Sequence, residues 1–321
     1  MDILVTGGAG FVGSHLSERL ISEGHSVTVL DDLSTGRESN LEKLLPNPNF
    51  KLVIGSVLDL SVLESLVNRT EFVFHLAAAV GVFNIVNNPL QSLLTNIRGT
   101  ENVLEMANMK RVPVFISSSS EVYGKNASDS LKESDDRILG SPVTLRWSYS
   151  EAKAIDESLA YAYFVEKQLE TRIVRFFNTV GPRQLGAYGM VVPRFVKSAL
   201  ANEPISIYGD GNQTRCFAHV YDVIDAVIAI AFADNTVGKV INIGNDFEIS
   251  INGLAQKIIA ETGSKSKIVY VPYEEAYGDG FEDMERRVPN IDLIDKLVGW
   301  KPKRDLTTII ADISAEMNKS S

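Results

Sequence analysis

The chain has a single cysteine, Cys216, in 321 residues. That excludes an internal disulfide, and no Cys/His cluster has zinc-ligand spacing, so no metal site is expected. A lone cysteine reads as a small buried apolar residue. Basic residues are scarce: 31 Lys and Arg against 41 Asp and Glu leave a formal charge of −10. Sequence-independent binding to nucleic acid needs a basic surface, so that class is set aside. An anionic substrate would have to be held by a few local arginines. Long apolar runs are also missing. The longest, Phe72 to Phe83, is interrupted by His75 and Gly81 and is too short to cross a bilayer. No stretch reads as a signal peptide, and a soluble cytoplasmic protein is expected.

The length suits one large α/β unit, or a nucleotide-binding domain with a smaller partner. Short runs rich in Val, Ile and Phe (Ile3–Val5, Val27–Leu30, Lys51–Ile54, Phe72–Leu76, Val114–Ser117, Arg172–Phe177) read as buried parallel strands. Between them Phe11–Glu23, Leu60–Val67, Pro89–Met109 and Ser150–Lys167 have helical period. This alternation predicts an α/β fold, a doubly wound parallel sheet of Rossmann type. Beyond residue 178 longer loops separate helices near Val191–Ala201, Val220–Ala233 and Ile251–Thr262. Ser250 is the expected N-cap of the last of these and Gly263 its C′ residue. The expected division is residues 1–178, with 219–245 returning to them, for the cofactor, and a smaller C-terminal α/β substrate domain over 179–321. Ligands should bind in the cleft at the carboxyl ends of the strands.

Thr6-Gly7-Gly8-Ala9-Gly10-Phe11-Val12-Gly13 closes the first strand and opens the first helix. Glycines at 7, 10 and 13 allow a tight turn, a close approach to a pyrophosphate and close helix–strand packing, while the helix start supplies N–H donors. Asp31 ends the second strand, where a carboxylate can bond both ribose hydroxyls and repel a 2′-phosphate, which favours NAD over NADP. Arg37 is the nearby candidate for a phosphate partner.

Tyr149-Ser150-Glu151-Ala152-Lys153 puts a phenol and an ammonium one helical turn apart on one face. A neighbouring cation stabilises a phenolate and makes it a usable base. The spacing recurs at Tyr163 and Lys167, about 21 Å along the same helix, within an apolar stripe that suits packing or a dimer surface. Ser117-Ser118-Ser119-Ser120-Glu121 leaves a core strand at its C-terminal end. Local backbone capping accounts for Ser117 and Ser118, whereas Ser119, Ser120 and Glu121 should face the cofactor near the Tyr149 phenol.

With these residues in view, TGGAGFVG, DDLSTG, HLAA (75–78), NIRGT (96–100), SSSSEVYG, YSEAK, RFFNTVGPR (175–183) and YGDGNQTRCFAHVYD (208–222) together resemble the extended short-chain dehydrogenase/reductase family of nucleotide-sugar epimerases, dehydratases and decarboxylases. The motifs match in order along nearly the whole chain. The resemblance implies a tightly bound NAD, reduced and reoxidised within one turnover. It places cofactor contacts at Gly7, Gly10, Phe11, Val12 and Gly13, at Asp31, Asp32, Ser34, Thr35 and Gly36, at Ser56 and Val57, and at Leu76, Ala77 and Ala78. Asn96, Ser117, Tyr149, Lys153 and Phe176 complete that set. Many relatives carry an acid where this chain has Ser56. Tyr149 would deprotonate the sugar C4 hydroxyl, Lys153 would lower its pKa, and Ser119 would bond the C4 oxygen. Asn178 and Arg215 would hold a diphosphate, Tyr208 would stack near the base, and Val192 would line the substrate site. Pairing of the helices 89–109 and 150–167 would give a homodimer through a four-helix interface.

In the same comparison, simple 4-epimerases usually lack a glutamate at position 121, and 4,6-dehydratases typically carry an acid where this chain has Ser120, although the GDP-mannose dehydratases use a hydroxyl there. The segment 276–289 and Arg146-Trp147-Ser148-Tyr149 resemble the bacterial UDP-glucuronate decarboxylases, in which Arg287 would meet the sugar carboxylate. Ser120, Glu121 and Arg287 would then manage the carboxylate and the reprotonation. Alternatively, Arg286-Arg287 is a solvated pair offsetting Glu282, Asp283 and Glu285. The readings are a UDP-glucuronate decarboxylase first, then a UDP-hexose or UDP-hexuronate 4-epimerase, then a 4,6-dehydratase. A silent NAD-sensing protein of the same fold is the alternative outside enzymes.

Overall fold

A computed structural model describes residues 1–79, 88–186, 190–273, 275, 284 and 286–319. Of the segment 276–289, which carried part of the resemblance, residues 276–283 and 285 lie outside the described residues. The N-terminal strands are β1 (Asp2–Thr6), β2 (Ser26–Asp31), β3 (Phe50–Ile54), β4 (Phe72–His75), β5 (Val114–Ser119) and β6 (Thr171–Phe176). Four short strands follow, β7 (Thr179–Val180), β8 (Ile205–Tyr208), β9 (Thr214–Cys216) and β10 (Ala218–His219). After them come β11 (Val240–Ile243), β12 (Glu248–Ser250) and β13 (Ile268–Val271). The main sheet is parallel throughout, in the order β11-β6-β5-β4-β1-β2-β3.

Helices cover both faces of this sheet, so its strands are apolar on both sides, as their sequence runs require. On one face α1 (Phe11–Ser22) is placed against a helix at Val220–Ala231. Leu16, Leu20, Val223, Val227 and Ile230 there pack on Val5, Val29, Phe74, Phe115 and Val174. On the other face lie α2 (Leu60–Val67), α3 (Pro89–Lys110) and α4 (Ser148–Lys167). Leu63, Val103, Leu104 and Ala160 close over Leu4, Leu30, Ile116 and Ile173. The strand order reverses between β1 and β4, so their crossovers leave on opposite faces and a crevice opens at the carboxyl ends.

The C-terminal region builds its own core. Helices α5 (Val191–Leu200), α6 (Val220–Ala231), α7 (Ile251–Thr262), α8 (Asp292–Val298) and α9 (Leu306–Lys319) follow in chain order. Val196, Leu254, Ile258, Ile309 and Ile313 meet Ile205 and Ile207 in a separate cluster. Ser250 caps α7 by accepting from the Gly253 N–H at 3.0 Å, and Gly263 ends it with φ 64°. From sequence alone this region reads as helices separated by long loops. The structure adds three two-stranded sheets, β10–β7, β12–β9 and β13–β8, and the helices α8 and α9. Contacts tie this core to α1: the His15 ring pairs with the Pro182 carbonyl at 3.0 Å, and Arg183 reaches Glu18 at 2.6 Å.

Phe115 is fully buried in the centre of the sheet. Phe115→Ala should lower the unfolding free energy by about 3–5 kcal/mol, read from denaturant melts; a loss under about 1 kcal/mol would mean the site collapses around the missing ring.

Candidate active site

The crevice is a cleft of about 740 Å³, running from the phosphate loop to the C-terminal core. Gly7 adopts φ +72°, and a Cβ there would sit 2.7 Å from the Ala77 nitrogen; a Cβ on Gly13 would sit 2.7 Å from the Gly8 Cα. Only glycine therefore permits β1, the loop and α1 to pack so closely. The N-cap of α1 is Gly10, with no side-chain cap, so the N–H groups of the first turn are left for an anion. Gly7, Gly10, Phe11, Val12 and Gly13 all line the cleft.

Asp31 lies in the wall at 7% exposure, accepting from Ala9 N at 2.8 Å and Leu33 N at 2.9 Å. Burial raises its pKa, against the pull of those two N–H donors. Asp32, Ser34, Thr35, Ser56, Val57, Leu76, Ala77 and Ala78 also line the cleft, as do Ser117 and Phe176. Arg37 is exposed and is not among the lining residues. Three expected contacts stand behind the wall. Gly36 backs Asp31, where a Cβ would meet Oδ1 at 2.8 Å. Asn96 is buried and fixes the loop after β4, accepting from Ala79 N at 2.7 Å. Lys153 is 1% exposed beneath Tyr149's turn of helix.

Tyr149 and Ser119 line the cleft together. Burial raises the Tyr149 pKa, the negative charges of Glu121 and Asp156 raise it further, and a hydrogen bond with Ser119 lowers it. The expected depression by Lys153 is not seen. That ammonium donates instead to the Ser117 carbonyl at 2.9 Å and pairs with Asp156 at 3.1 Å, so its charge is partly spent. Ser118 departs from the expected local capping and donates to Glu157 on α4 at 2.5 Å; Arg175 grips Glu157 with bonds of 2.9 and 2.7 Å. Tyr163 packs with the cluster under α3 and α4, outside the cleft. Cys216 is fully buried, and burial pushes its thiol up to about 12.

The two arginines of 286–287 separate. Arg286 bonds Glu248 at 2.8 and 2.9 Å and pairs with Asp129 at 3.4 Å. Arg287, 7% exposed, turns into the cleft and donates to Glu121 at 2.7 Å and Ser120 at 3.2 Å. Arg146, which the sequence reading quoted only within a motif, pairs with the other Glu121 oxygen at 2.6 Å. Burial would raise the Glu121 pKa, but Arg287 and Arg146 outweigh it and hold the carboxyl at about 2. It is ionised here, so in this state it holds no proton to donate.

At the far end Asn178, Val192, Tyr208 and Arg215 line the cleft. Asn178 donates to the Cys216 carbonyl at 2.9 Å and Arg215 to the Thr214 carbonyl at 2.7 Å. The Arg194 guanidinium lies 4.2 Å over the Tyr208 ring, and Gln213 bonds the Tyr208 carbonyl at 3.1 Å. Arg194 has no sequence signal, and Gln213 stands in the sequence only within the motif YGDGNQTRCFAHVYD. Arg194 follows Val192 on α5 by two positions and carried no motif of its own.

Residues 3–244 match the sequence profile of the NAD dependent epimerase/dehydratase family. The chain belongs to that family of enzymes. A UDP-N-acetyl-alpha-D-glucosaminuronate decarboxylase of Bacillus cytotoxicus is 41% identical over 93% of this chain and 92% of its own. The UDP-glucuronic acid decarboxylase 1 of Xenopus tropicalis is 36% identical over 94% of this chain and 68% of its own. Among solved structures, UDP-glucuronic acid 4-epimerase of Bacillus cereus, in complex with UDP-glucuronic acid and NAD, superposes with a TM-score of 0.90. It covers 100% of both chains at 27% identity. No helix among the described residues is long and apolar enough to cross a membrane.

The folded pKa of Glu121, about 2, lies below its ordinary 4.5. Its stabilising effect is complete above 4.5 and is lost as pH falls towards 2. The difference in melting temperature between wild type and Glu121→Gln should therefore be steady at neutral pH and shrink on acidification below 4.5. A difference that stays constant through that range would show that the ion pairs do not hold the carboxyl down.

Proposed function

We propose that this family member is a UDP-hexuronate decarboxylase of the UDP-glucuronate type, with Tyr149 as the base at the sugar C4 hydroxyl. The observation that carries the reading is Arg287, an arginine buried against Ser120 and Glu121 in the same cleft that Tyr149 lines. A simple hydride exchange at C4 has no use for a buried cation there; a substrate carboxylate does. The uncapped start of α1, the glycines beside it and the Asp31 carboxylate fit a dinucleotide with free ribose hydroxyls. Bound NAD would accept hydride from C4 and return it.

The residues divide the remaining work. Tyr149 takes the C4 hydroxyl proton, and Ser119 bonds the same oxygen. With C4 a ketone, the substrate is a β-keto acid. The C5–C6 bond breaks, carbon dioxide leaves, and the electron pair moves onto the C4 oxygen, where the Tyr149 hydroxyl and Ser119 stabilise the enolate. Arg287 orients the carboxylate before the bond breaks. Glu121, ionised between two guanidinium groups, positions Arg287 and Arg146 and leaves the C5 proton to come from water. Asn178 and Arg215 hold the diphosphate, with Tyr208 near the base and Val192 beside it. Lys153 and Asn96 support the nicotinamide end from behind the wall.

A second reading changes only the sugar C2 group. The relative at 41% identity is named for the N-acetylated hexuronate, so UDP-N-acetylglucosaminuronate is the alternative substrate. The proposal also covers the division at 178/179, supported by the separate apolar cluster of the C-terminal core. It covers a homodimer through α3 and α4, supported by exposed Ile155, Tyr161 and Val165 on α4. Cytoplasmic placement completes it, in keeping with a single cysteine.

Incubation with each UDP-hexuronate, followed by mass spectrometry, should show loss of the mass of carbon dioxide from one of them. An isobaric product would overturn decarboxylation in favour of 4-epimerisation. Tyr149→Phe should lower kcat by about a hundredfold or more while NAD binding is retained; unchanged turnover would remove Tyr149 from its role as base.

A further inference from the structure

Behind the phenol lies a carboxylate that the chemistry above does not use. Asp156 is fully buried, one turn beyond Lys153 on α4, and its Oδ2 is 3.1 Å from the Lys153 Nζ. A buried ion pair contributes little net stability, because desolvation of both charges opposes their attraction. Its presence directly under the site therefore calls for another role.

We infer that Asp156 is a positioning residue for the Tyr149–Lys153 couple: it fixes the Lys153 ammonium and sets how strongly that ammonium can favour the phenolate. The inference rests on the reading of Tyr149 as the base. Among the described residues, the other charged groups facing this pair have partners of their own. On α4 itself, Glu157 is held by the Arg175 guanidinium from β6 and by Ser118 from β5. From the turn after β5, Glu121 is held by Arg287 and Arg146. From β4, His75 is buried between Thr6 at 2.8 Å and Thr100 at 3.1 Å; burial and Lys153 push its pKa down to about 3, so it is neutral. From α3, the Thr100 hydroxyl bonds Asp156 and favours its ionised form, as Lys153 does, while burial and Glu157 raise its pKa. Asp156 is thus the carboxylate in direct contact with the Lys153 ammonium. Because Lys153 also donates to the Ser117 carbonyl, the ammonium is fixed at two points and its third N–H is left for the site.

Asp156→Asn keeps the shape and removes the charge. The acid limb of kcat/KM against pH should move to lower pH by about one unit, since the phenolate loses a repelling neighbour. The phenolate absorbance titration of Tyr149, taken as the difference from Tyr149→Phe with NAD present, should move the same way without any substrate. Should the variant fail to fold, Thr100→Val supplies the test: it weakens the ionised form of Asp156 and should shift both curves in the same sense by less. A folded Asp156→Asn protein, or failing that Thr100→Val, whose two curves superimpose on the wild type would overturn the role of Asp156. If instead Tyr149→Phe keeps full turnover, the base itself is misassigned and both readings fall.

Discussion

The reversal of strand order between β1 and β4 governs where everything else in this molecule can be. Crossovers in a parallel sheet are right-handed, so strands added on either side of that boundary send their helices to opposite faces. Nothing then covers the carboxyl ends at the boundary. The glycine loop after β1, the serines that end β5 and the start of α4 are delivered to the same opening by topology alone, although they lie far apart in sequence. The C-terminal core closes the opening from above with α5 and the β8–β9 segment.

Within that opening, burial and charge pull against each other. The site takes carboxylates at Asp31, Glu121, Asp156 and Glu157 out of bulk water, together with guanidinium groups at Arg146, Arg175 and Arg287 and the Lys153 ammonium. Each carboxylate is offset by a partner: backbone N–H groups for Asp31, two arginines for Glu121, an ammonium for Asp156 and a bidentate arginine for Glu157. Such networks tolerate little rearrangement, since removing one member leaves another charge buried and unpaired. That rigidity suits the catalyst proposed above, in which a phenol, a hydroxyl and a guanidinium surround one sugar ring.

The sheet was legible because its strands are buried on both faces and read as unbroken apolar runs, and the phosphate loop because glycine has no substitute at Gly7 and Gly13. The paired strands of the C-terminal region were not legible. They are two to four residues long, too short for alternation to show against their flanking loops. Of the two Tyr-x-x-x-Lys pairs, position relative to the strand ends picked out the one whose tyrosine lines the cleft. What sequence could not convey was charge partnership across distance. Nothing in the run around Lys153 says that the ammonium turns to Asp156 and to the Ser117 carbonyl. Nor does the Ser120-Glu121 pair say that two arginines, from the turn before α4 and from residue 287, converge on it. Those contacts depend on three separate chain segments meeting, and only the folded geometry supplies that.

Arg286 and Arg287 are neighbours that face in opposite directions. One is tethered at the surface to Glu248 and Asp129; the other enters the cleft. Just beyond them, Leu131 receives a bridge from Pro289 and exchanges backbone bonds with Val288 and Asn290. The chain at 287 is therefore moored on both sides by contacts that owe nothing to the inward guanidinium. In evolutionary terms, position 287 is a socket whose backbone anchorage is independent of its side chain: a replacement must also answer for the Glu121 carboxylate that Arg287 now pairs, but it need not unfasten the segment that carries it. A family that performs several reactions on one scaffold needs places of that kind.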